Sequence, residues 1–585
     1  MPDSDRRVAA AVAAATAVAL VARLVALGAR VAHWDEGRVG YWVLRYVETG
    51  QYTYHPIVHG PFLFHVNGVV FDLVGAGDAS MRAVVALIGG LLPATAWLLR
   101  DRLKPAETVS LAVLLAANPL LLYYSRFMRS DVLVGAFAFA ALAFLVRAHD
   151  TGRRRHLYAG ALSLALAFTT KENVLVYVAC WVGALVLLLD WALLAARQRG
   201  EDPTAVLAER LFATARGLRA WARDVAASAL LFLAVVVFFY APRPELWRAF
   251  STPVLFGDVV RRATVSSVEK FASTWVGGHP HSYVDFFVGD VETLVAGAAA
   301  VCVLGVAGFV HDRYRGERPR ALVSFAGYWA LASLVIYPAV SDIQAPWAMI
   351  HVVVPLAVPA AVGGGLLLSA VGSTRHDGDD AGTAIALVLV AAVVGWMAFT
   401  GVTAAFVHPQ EPGPLVQYGQ PNGDLHPTLA EIDEAVQAHQ GGSGPDVLYY
   451  GAHFYAASEP SPAPDENFSE PGHWTWRLPL PWYFEGMGAE TASTTDLAAL
   501  NGSTPPVVVT RASNYGEVAP RLEGYDATTY ELTSAGTPTV FFVRQSGAGN
   551  ASAANASPGA AANASAAGAA TPTLPAAPAP ASTAG

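Results

Sequence analysis

A polytopic α-helical membrane protein with a small extracellular α/β domain and a disordered tail is the fold class this sequence predicts. Three observations carry it. Of 585 residues, 54% are hydrophobic and only 14% charged, outside the range of ordinary soluble domains. Apolar runs long enough to cross a hydrocarbon layer recur eleven times before residue 407. Beyond it the character changes abruptly: residues 408–545 hold 17 acidic residues against four arginines.

Taken in order, the runs fall at about 8–31, 79–99, 106–124, 131–148, 156–172, 174–195, 225–240, 291–310, 321–338, 347–370 and 383–406. The first follows Arg6 and Arg7 as a signal peptide would. It contains Arg23 and Arg30 and lacks a small-residue cleavage site, so it is expected to be retained. Arginine collects at Arg6/Arg7, Arg100/Arg102/Lys104, Arg153 to Arg155, 197–224 and Arg313 to Arg320, all on one side if eleven spans hold. By the positive-inside rule that side is the cytoplasm, with the N-terminus in it. An odd number of spans then leaves everything after 407 outside.

The transmembrane domain therefore covers 1–407, with an outer loop at 32–78. In that loop Val39, Trp42, Val43, Tyr46 and Val47 recur with helical spacing, while Arg38, Arg45 and Glu48 lie elsewhere around the helix. This reads as a helix lying in the membrane interface. Residues 61–75 are too short to span and read as a second interfacial or re-entrant piece. The arginine-rich stretch 203–223 reads as a lipid-surface helix on the cytoplasmic side.

Residues 408–545 combine a helical pattern at 427–438, strand-like runs at 447–450, 507–509 and 540–543, and a short helix at 515–522, which together suggest an α/β domain. Residues 546–585, made of Ala, Ser, Thr, Asn and Pro, bury too little to fold and are expected to be disordered. Asn467, Asn501, Asn550, Asn555 and Asn563 each open a sequon on the predicted outer side. Cys180 and Cys302 lie in apolar runs and offer no disulfide to the polar part. The acidic, lysine-poor exterior suggests adaptation to high salt, an ordinary acidic domain being the plain alternative.

Candidate chemistry gathers at the predicted outer ends of the spans. Asp35 and Glu36, at the end of the first run, are either caps of the following helix or a catalytic acid pair, since partial desolvation makes such acids expensive. Arg126, Arg129 and Asp131 meet between the third and fourth runs. The arginines suit a lipid phosphate, with Asp131 orienting them or helping to hold a metal; local ion pairing is the bland reading. Lys171 and Glu172 close the fifth run, Lys171 being the only lysine at the outer face within the spans. His279 and His281 form a His-X-His pair in loop 241–290, and His55, His59 and His65 sit near His59-Gly60-Pro61. Asp342, Gln344, Trp347 and His351 are expected to line the same cavity. No cofactor is required, and a divalent metal, if any, would fall to Asp35 and Asp131. The lack of a glycine-rich nucleotide loop between a strand and a helix argues against a cytosolic nucleotide-sugar enzyme. No nucleic-acid partner is expected.

Arg23, Trp34-Asp35-Glu36, Glu48-Thr49-Gly50-Gln51-Tyr52, His59-Gly60-Pro61 and Arg82 resemble the opening of GT-C membrane glycosyltransferases of the protein O-mannosyltransferase and aminoarabinose-transferase type. Ser125-Arg126, Asp131 and Thr170-Lys171 resemble later motifs of that group, although Glu172 stands where its mannosyltransferase-like members carry Gly. Over roughly 8–545, and most clearly over 20–175, the chain resembles the haloarchaeal flippase-activity-associated proteins of N-glycosylation. The match of the outer domain, including Pro479-Leu480-Pro481-Trp482-Tyr483, is less specific.

The resemblance implies a GT-C-like fold and a dolichyl (polyprenyl) phosphate-linked sugar handled at the outer face. It implies Asp35 as base toward the acceptor, supported by Asp131. The expected function is sugar transfer in protein N-glycosylation or surface-glycan assembly. The alternative is non-enzymatic assistance in translocating the lipid-linked sugar, with membrane lipid and other glycosylation or flippase proteins as partners. A purely structural surface protein would leave the membrane-edge acids unexplained.

Overall fold

The computed structural model describes residues 3–56, 60–275, 281–316, 318–341, 343–417, 419–456, 474–501, 505–533 and 538–545. His59, His279, Asp342, the sequon asparagines Asn467, Asn550, Asn555 and Asn563, and the predicted disordered tail lie outside them.

Every predicted span is helical. The chain runs through α1 (Asp3–Leu24), α2 (Trp34–Thr49), α3 (Phe62–Val74), α4 (Asp78–Leu91, extended by a 3₁₀ stretch to Leu99), α5 (Pro105–Ala117), α6 (Pro119–Tyr124), α7 (Ser130–Thr151), α8 (Arg154–Thr170), α9 (Val174–Gln198), α10 (Pro203–Ala220) and α11 (Ala222–Tyr240). Three short helices follow, α12 (Glu245–Ser251), α13 (Phe256–Arg261) and α14 (Ser267–Trp275). Next come α15 (Tyr283–Tyr314), α16 (Ala321–Val340), α17 (Ile350–His376) and α18 (Asp380–Val402).

Among the described residues nine helices, not eleven, are long and apolar enough to cross a bilayer. The two shortfalls have local causes. Run 106–124 is broken at Asn118-Pro119, because proline cannot continue the hydrogen-bond ladder of α5; Asn118 Oδ1 instead accepts the Leu121 N–H at 3.0 Å and starts α6. Run 156–172 forms α8, only 17 residues long.

The arginine clusters gather at one end of the bundle. Arg102 bonds Asp150 of α7 (2.9 Å), Arg154 of α8 pairs with Asp224 of α11 (3.1 Å), and Arg320 joins Glu107 of α5 (2.6 Å). Helix α10 has no buried residue, as a surface helix requires.

The polar part is a mixed five-stranded sheet in the order β2-β1-β3-β5-β4: β1 Val447–Tyr450, β2 Thr491–Thr494, β3 Val507–Arg511, β4 Tyr525–Glu531 and β5 Pro538–Arg544. Strands β1, β2 and β3 are parallel, and β5 lies antiparallel between β3 and β4. Successive side chains alternate between faces. Val447, Tyr449, Val507, Val509 and Phe541 pack with α19 (His426–His439) and α20 (Leu480–Met487). Leu448, Tyr450, Val508 and Phe542 pack with Val518 of α21 (Tyr515–Val518) and with Leu522.

Helix α2 is packed inside the protein over its first half. Its residues from Glu36 to Val43 are all buried, Arg38 among them. The face that carries Gly37 and Gly40 is covered by Pro479 and α20. A Cβ on Gly37 would lie 2.6 Å from Pro479 Cβ, and one on Gly40 would lie 2.6 Å from the Trp482 ring. Glycine at these two positions is what lets the helices touch.

The same segment is fixed polar-to-polar. Trp482 Nε1 and Tyr483 Oη donate to the two oxygens of Asp78, at 3.1 and 2.8 Å, and Tyr483 Oη accepts the Ala32 N–H at 2.8 Å. His426 Nε2 meets Asp78 at 3.0 Å while its Nδ1 meets Asp424 at 2.8 Å.

These contacts raise the His426 pKa above its ordinary 6.5, chiefly through the hydrogen bond to Asp78, with burial opposing and Asp424 assisting. A raised histidine stabilises docking most below its unfolded value and loses that contribution as pH rises through the folded one. Hydrogen exchange over 426–439, corrected for intrinsic rate, should therefore be faster at about pH 8.5 than at about pH 6. His426→Asn should flatten the difference.

Candidate active site

The site is organised from Glu36 outward. His33 caps α2, its Nδ1 accepting the Asp35 N–H at 3.0 Å, and Glu36 at the third helical position turns back to accept the His33 N–H at 2.9 Å. This is the reciprocal capping that the acids at the start of α2 suggest. Glu36 does far more than cap. Its Oε1 accepts from Arg30 (3.0 Å), Arg82 Nε (2.8 Å) and the Met128 N–H (2.8 Å), and its Oε2 accepts from Arg82 (2.9 Å). The carboxylate is fully buried. Burial alone would raise its pKa, but Arg30 and Arg82 outweigh burial and hold it below the usual carboxylate range. Both Glu36 oxygens, expected to serve catalysis, are engaged by the protein itself.

Arg126, expected at a lipid phosphate, is likewise engaged by the protein. Its guanidinium donates to the carbonyls of Ala22 (3.2 Å), Arg23 (3.1 Å), Val25 (2.7 Å) and Ala26 (2.9 Å). It thus closes the C-terminal end of α1, where helix carbonyls lack intrahelical donors. Arg23 does the reciprocal task, reaching the Leu115 and Ala116 carbonyls at the end of α5. The Arg126 Nη1 and Nη2 are thus turned toward backbone carbonyls of this chain.

What remains is a line of alternating charge. Asp35 Oδ2 accepts from Arg129, whose Nε donates to Asp131 Oδ2 at 3.3 Å. Asp131 Oδ1 accepts from Lys171 Nζ at 2.8 Å and stands 3.3 Å from His351 Nε2. Beneath it, Tyr177 Oη bonds His351 Nδ1 (2.6 Å), and Asn173 Nδ2 bonds His351 Nε2 (2.9 Å). Trp347 lies under both cations, its ring centre 4.5 Å from the Arg129 guanidinium carbon and 4.1 Å from Lys171 Nζ. Gln417, from the segment after α18, bonds Arg129 at 3.3 Å.

Exposure sorts these groups. The side chains of Asp35 and Lys171 are 17% and 16% accessible, whereas those of Arg129, Asp131 and His351 are at most 3%. The two ends of the charged line face outward and its middle is sealed. His33 lies beside Asp35 with its ring buried and its Nε2 without a hydrogen-bond partner among the described residues. Burial pushes its pKa down to about 4, so the ring is neutral.

The remaining candidates are placed as follows. Glu172 accepts from Tyr54 Oη and so ties the loop after α2 to the end of α8. Gly60 donates to the Thr170 carbonyl at 2.8 Å, and a Cβ there would lie 2.6 Å from the Thr169 oxygen, so only glycine allows the approach. His281 Nε2 bonds the Pro338 carbonyl at 2.8 Å. His65 bonds Tyr46 and the Phe239 carbonyl. Sequence reasoning missed Asn173, Tyr177 and Gln417, and gave Arg30 no role. Only the membrane-edge position of Asn173 and Tyr177 offered a signal.

Among the described residues no three or more His, Cys, Asp and Glu side chains converge as a metal site. Asp35 and Asp131 do not fit a shared divalent ion, because the Arg129 guanidinium already lies between them and Lys171 takes the other Asp131 oxygen.

Two family models match the chain. Residues 425–544 match the Agl23 flippase-associated protein C-terminal domain, and 58–200 match the dolichyl-phosphate-mannose-protein mannosyltransferase family. None of the curated proteins matches. Among solved structures, ArnT from Cupriavidus metallidurans bound to undecaprenyl phosphate is similar at a TM-score of 0.54 and 15% identity, covering 92% of this chain and 99% of ArnT. The same enzyme in its apo state gives a TM-score of 0.56 and 15% identity, over 91% of this chain and 97% of ArnT.

Removing the central carboxylate tests its structural role. Glu36→Ala leaves Arg30 and Arg82 buried without their counter-ion, at an expected cost of about 3–5 kcal/mol. Heat denaturation in detergent should show a large drop in midpoint, and Asp35→Ala a smaller one.

Proposed function

We propose that this chain, a GT-C glycosyltransferase-like membrane protein with the C-terminal domain of the Agl23 flippase-associated family, transfers a sugar from a polyprenyl (dolichyl) phosphate at the outer face of the cell membrane. The single observation that carries the reading is the alternating line Asp35–Arg129–Asp131–Lys171, with its two outer groups accessible and its interior sealed.

Asp35 accepts the proton of an acceptor hydroxyl as the acceptor oxygen bonds the anomeric carbon from the face opposite the phosphate. The bond from that carbon to the phosphate oxygen breaks, inverting the anomeric centre, and the electron pair leaves on the polyprenyl phosphate. Lys171 directs one N–H to Asp131 and has others for the phosphate, where a fixed cation stabilises developing charge. Arg129 and Asp131 are positioning residues: they hold Asp35 and Lys171 in register without exposing charge to lipid. Trp347 offers a flat apolar wall beneath the cations. The arginine clusters at the opposite end support the cytoplasmic assignment of that end and the outer placement of Asp35.

A second reading is favoured by the match of residues 425–544: the same charged line binds a lipid-linked sugar to assist its translocation and does not react.

Purified protein supplied with dolichyl-phosphate-linked sugars and acceptor glycans separates the two. Transfer should fall about 10²–10⁴-fold in Asp35→Asn while donor binding persists. Lys171→Met should weaken donor binding and transfer together. Absence of transfer by the unmodified protein with all donors, together with dolichyl-phosphate-sugar stranded on the cytoplasmic leaflet when the chain is deleted, would establish the second reading.

A further inference from the structure

A cavity of about 180 Å³ lies where α2 meets the C-terminal sheet domain. Its walls are the buried rings of Tyr41, Trp474 and Tyr449, with Tyr41 and Trp474 centred 5.1 Å apart. Its lip is charged: Arg45 donates to Glu485 at 3.0 Å and to Glu48 at 2.6 Å, while the Nε of Arg45 is shielded from solvent and has no hydrogen-bond partner among the described residues. On the outer-domain side Arg477 donates Nε to the Phe454 carbonyl at 2.8 Å and lays its guanidinium 4.3 Å from the centre of the Tyr449 ring.

We infer that this cavity binds a single pyranose ring. Aromatic faces suit the C–H face of a sugar, and a guanidinium beside a carboxylate offers donor and acceptor to a vicinal pair of hydroxyls. Other ligand classes fit less well. An inorganic anion would meet the Glu485 and Glu48 carboxylates, and a peptide strand would need an open sheet edge or a longer groove. The volume lies below the roughly 300–1,000 Å³ of drug-sized pockets, which limits the occupant to one ring.

The position gives the cavity a use. At about 1.5 Å per residue along α2, Tyr41 and Arg45 stand about 9 and 15 Å beyond Asp35. A glycan reaching Asp35 through one sugar can seat another here, so that binding energy from a non-reacting ring holds the reacting one in place. This use rests on the transfer reading above; binding of the ring does not.

The test is saturation-transfer NMR on the full chain in nanodiscs, with methyl α-D-mannopyranoside, methyl α-D-glucopyranoside and methyl β-D-glucuronide as probes. At least one probe should bind with a Kd on the order of 1 mM, weakened about tenfold or more by Trp474→Ala and by Glu485→Gln and unchanged by Asp35→Asn. Glu485→Gln keeps the side chain's shape, so its result stands even if Trp474→Ala fails to fold. Absence of saturation transfer from all three probes, or transfer that survives Glu485→Gln undiminished, overturns the inference. So does loss of binding in Asp35→Asn, which would place the ring at the charged line. If pyranoside binds but no sugar is transferred in the enzymatic assay, the cavity stands and the catalytic reading alone falls.

Discussion

The structure depends on one buried carboxylate. An ionised glutamate taken out of water costs several kcal/mol unless its charge is met and its lone pairs are filled. Glu36 meets both conditions through Arg30, Arg82 and two backbone N–H groups, those of His33 and Met128. These partners come from the α1–α2 connection, from α4 and from the loop before α7. One side chain thus fastens three segments far apart in sequence, and Asp35, its neighbour in the first turn of α2, and Arg129, just after Met128, are set opposite each other as a result.

From that anchor the chemistry follows by geometry. Charges near a hydrocarbon layer are tolerated when they alternate and are sealed, and here only the terminal members of the line reach solvent. The segment after α18 takes part in the arrangement. Gln417 bonds Arg129, Gln420 bonds Arg30 at 2.5 Å and the Val31 carbonyl at 3.1 Å, and Val31 itself packs in the core below the sheet. These contacts cross the change in composition at residue 408, and residues up to Arg544 form one compact unit.

Much of this was legible in the sequence. Hydropathy placed the long helices of the bundle but not α12–α14 or α20, and β-branched and aromatic runs found β1, β3 and β5, whose central residues are buried and mostly apolar. Strands β2 and β4 were missed because Thr491–Thr494 and Tyr525–Glu531 line the sheet's edges, where partial exposure leaves a polar composition. Asp35, Arg129, Asp131 and Lys171 stood out because charge at a membrane edge is costly. Their division into exposed ends and buried middle did not, since burial depends on long-range packing. Glu36 and Arg126 carry the same sequence signal as their neighbours. Long-range packing sets them apart: Arg30 and Arg82 engage the one, and carbonyls at the end of α1 engage the other. The Pro479-to-Tyr483 motif likewise acquired a reason only when Gly37, Gly40 and Asp78 were found against it.

The most direct measurement is a density map of the full chain in a lipid nanodisc with a bound polyprenyl phosphate. The phosphate should sit within hydrogen-bond reach of Lys171, over the Trp347 ring, with the Asp35 carboxylate facing the phosphate oxygen that carries the sugar. A phosphate held by Arg126 or Arg82, or bound at the arginine-rich end of the bundle, would contradict the account.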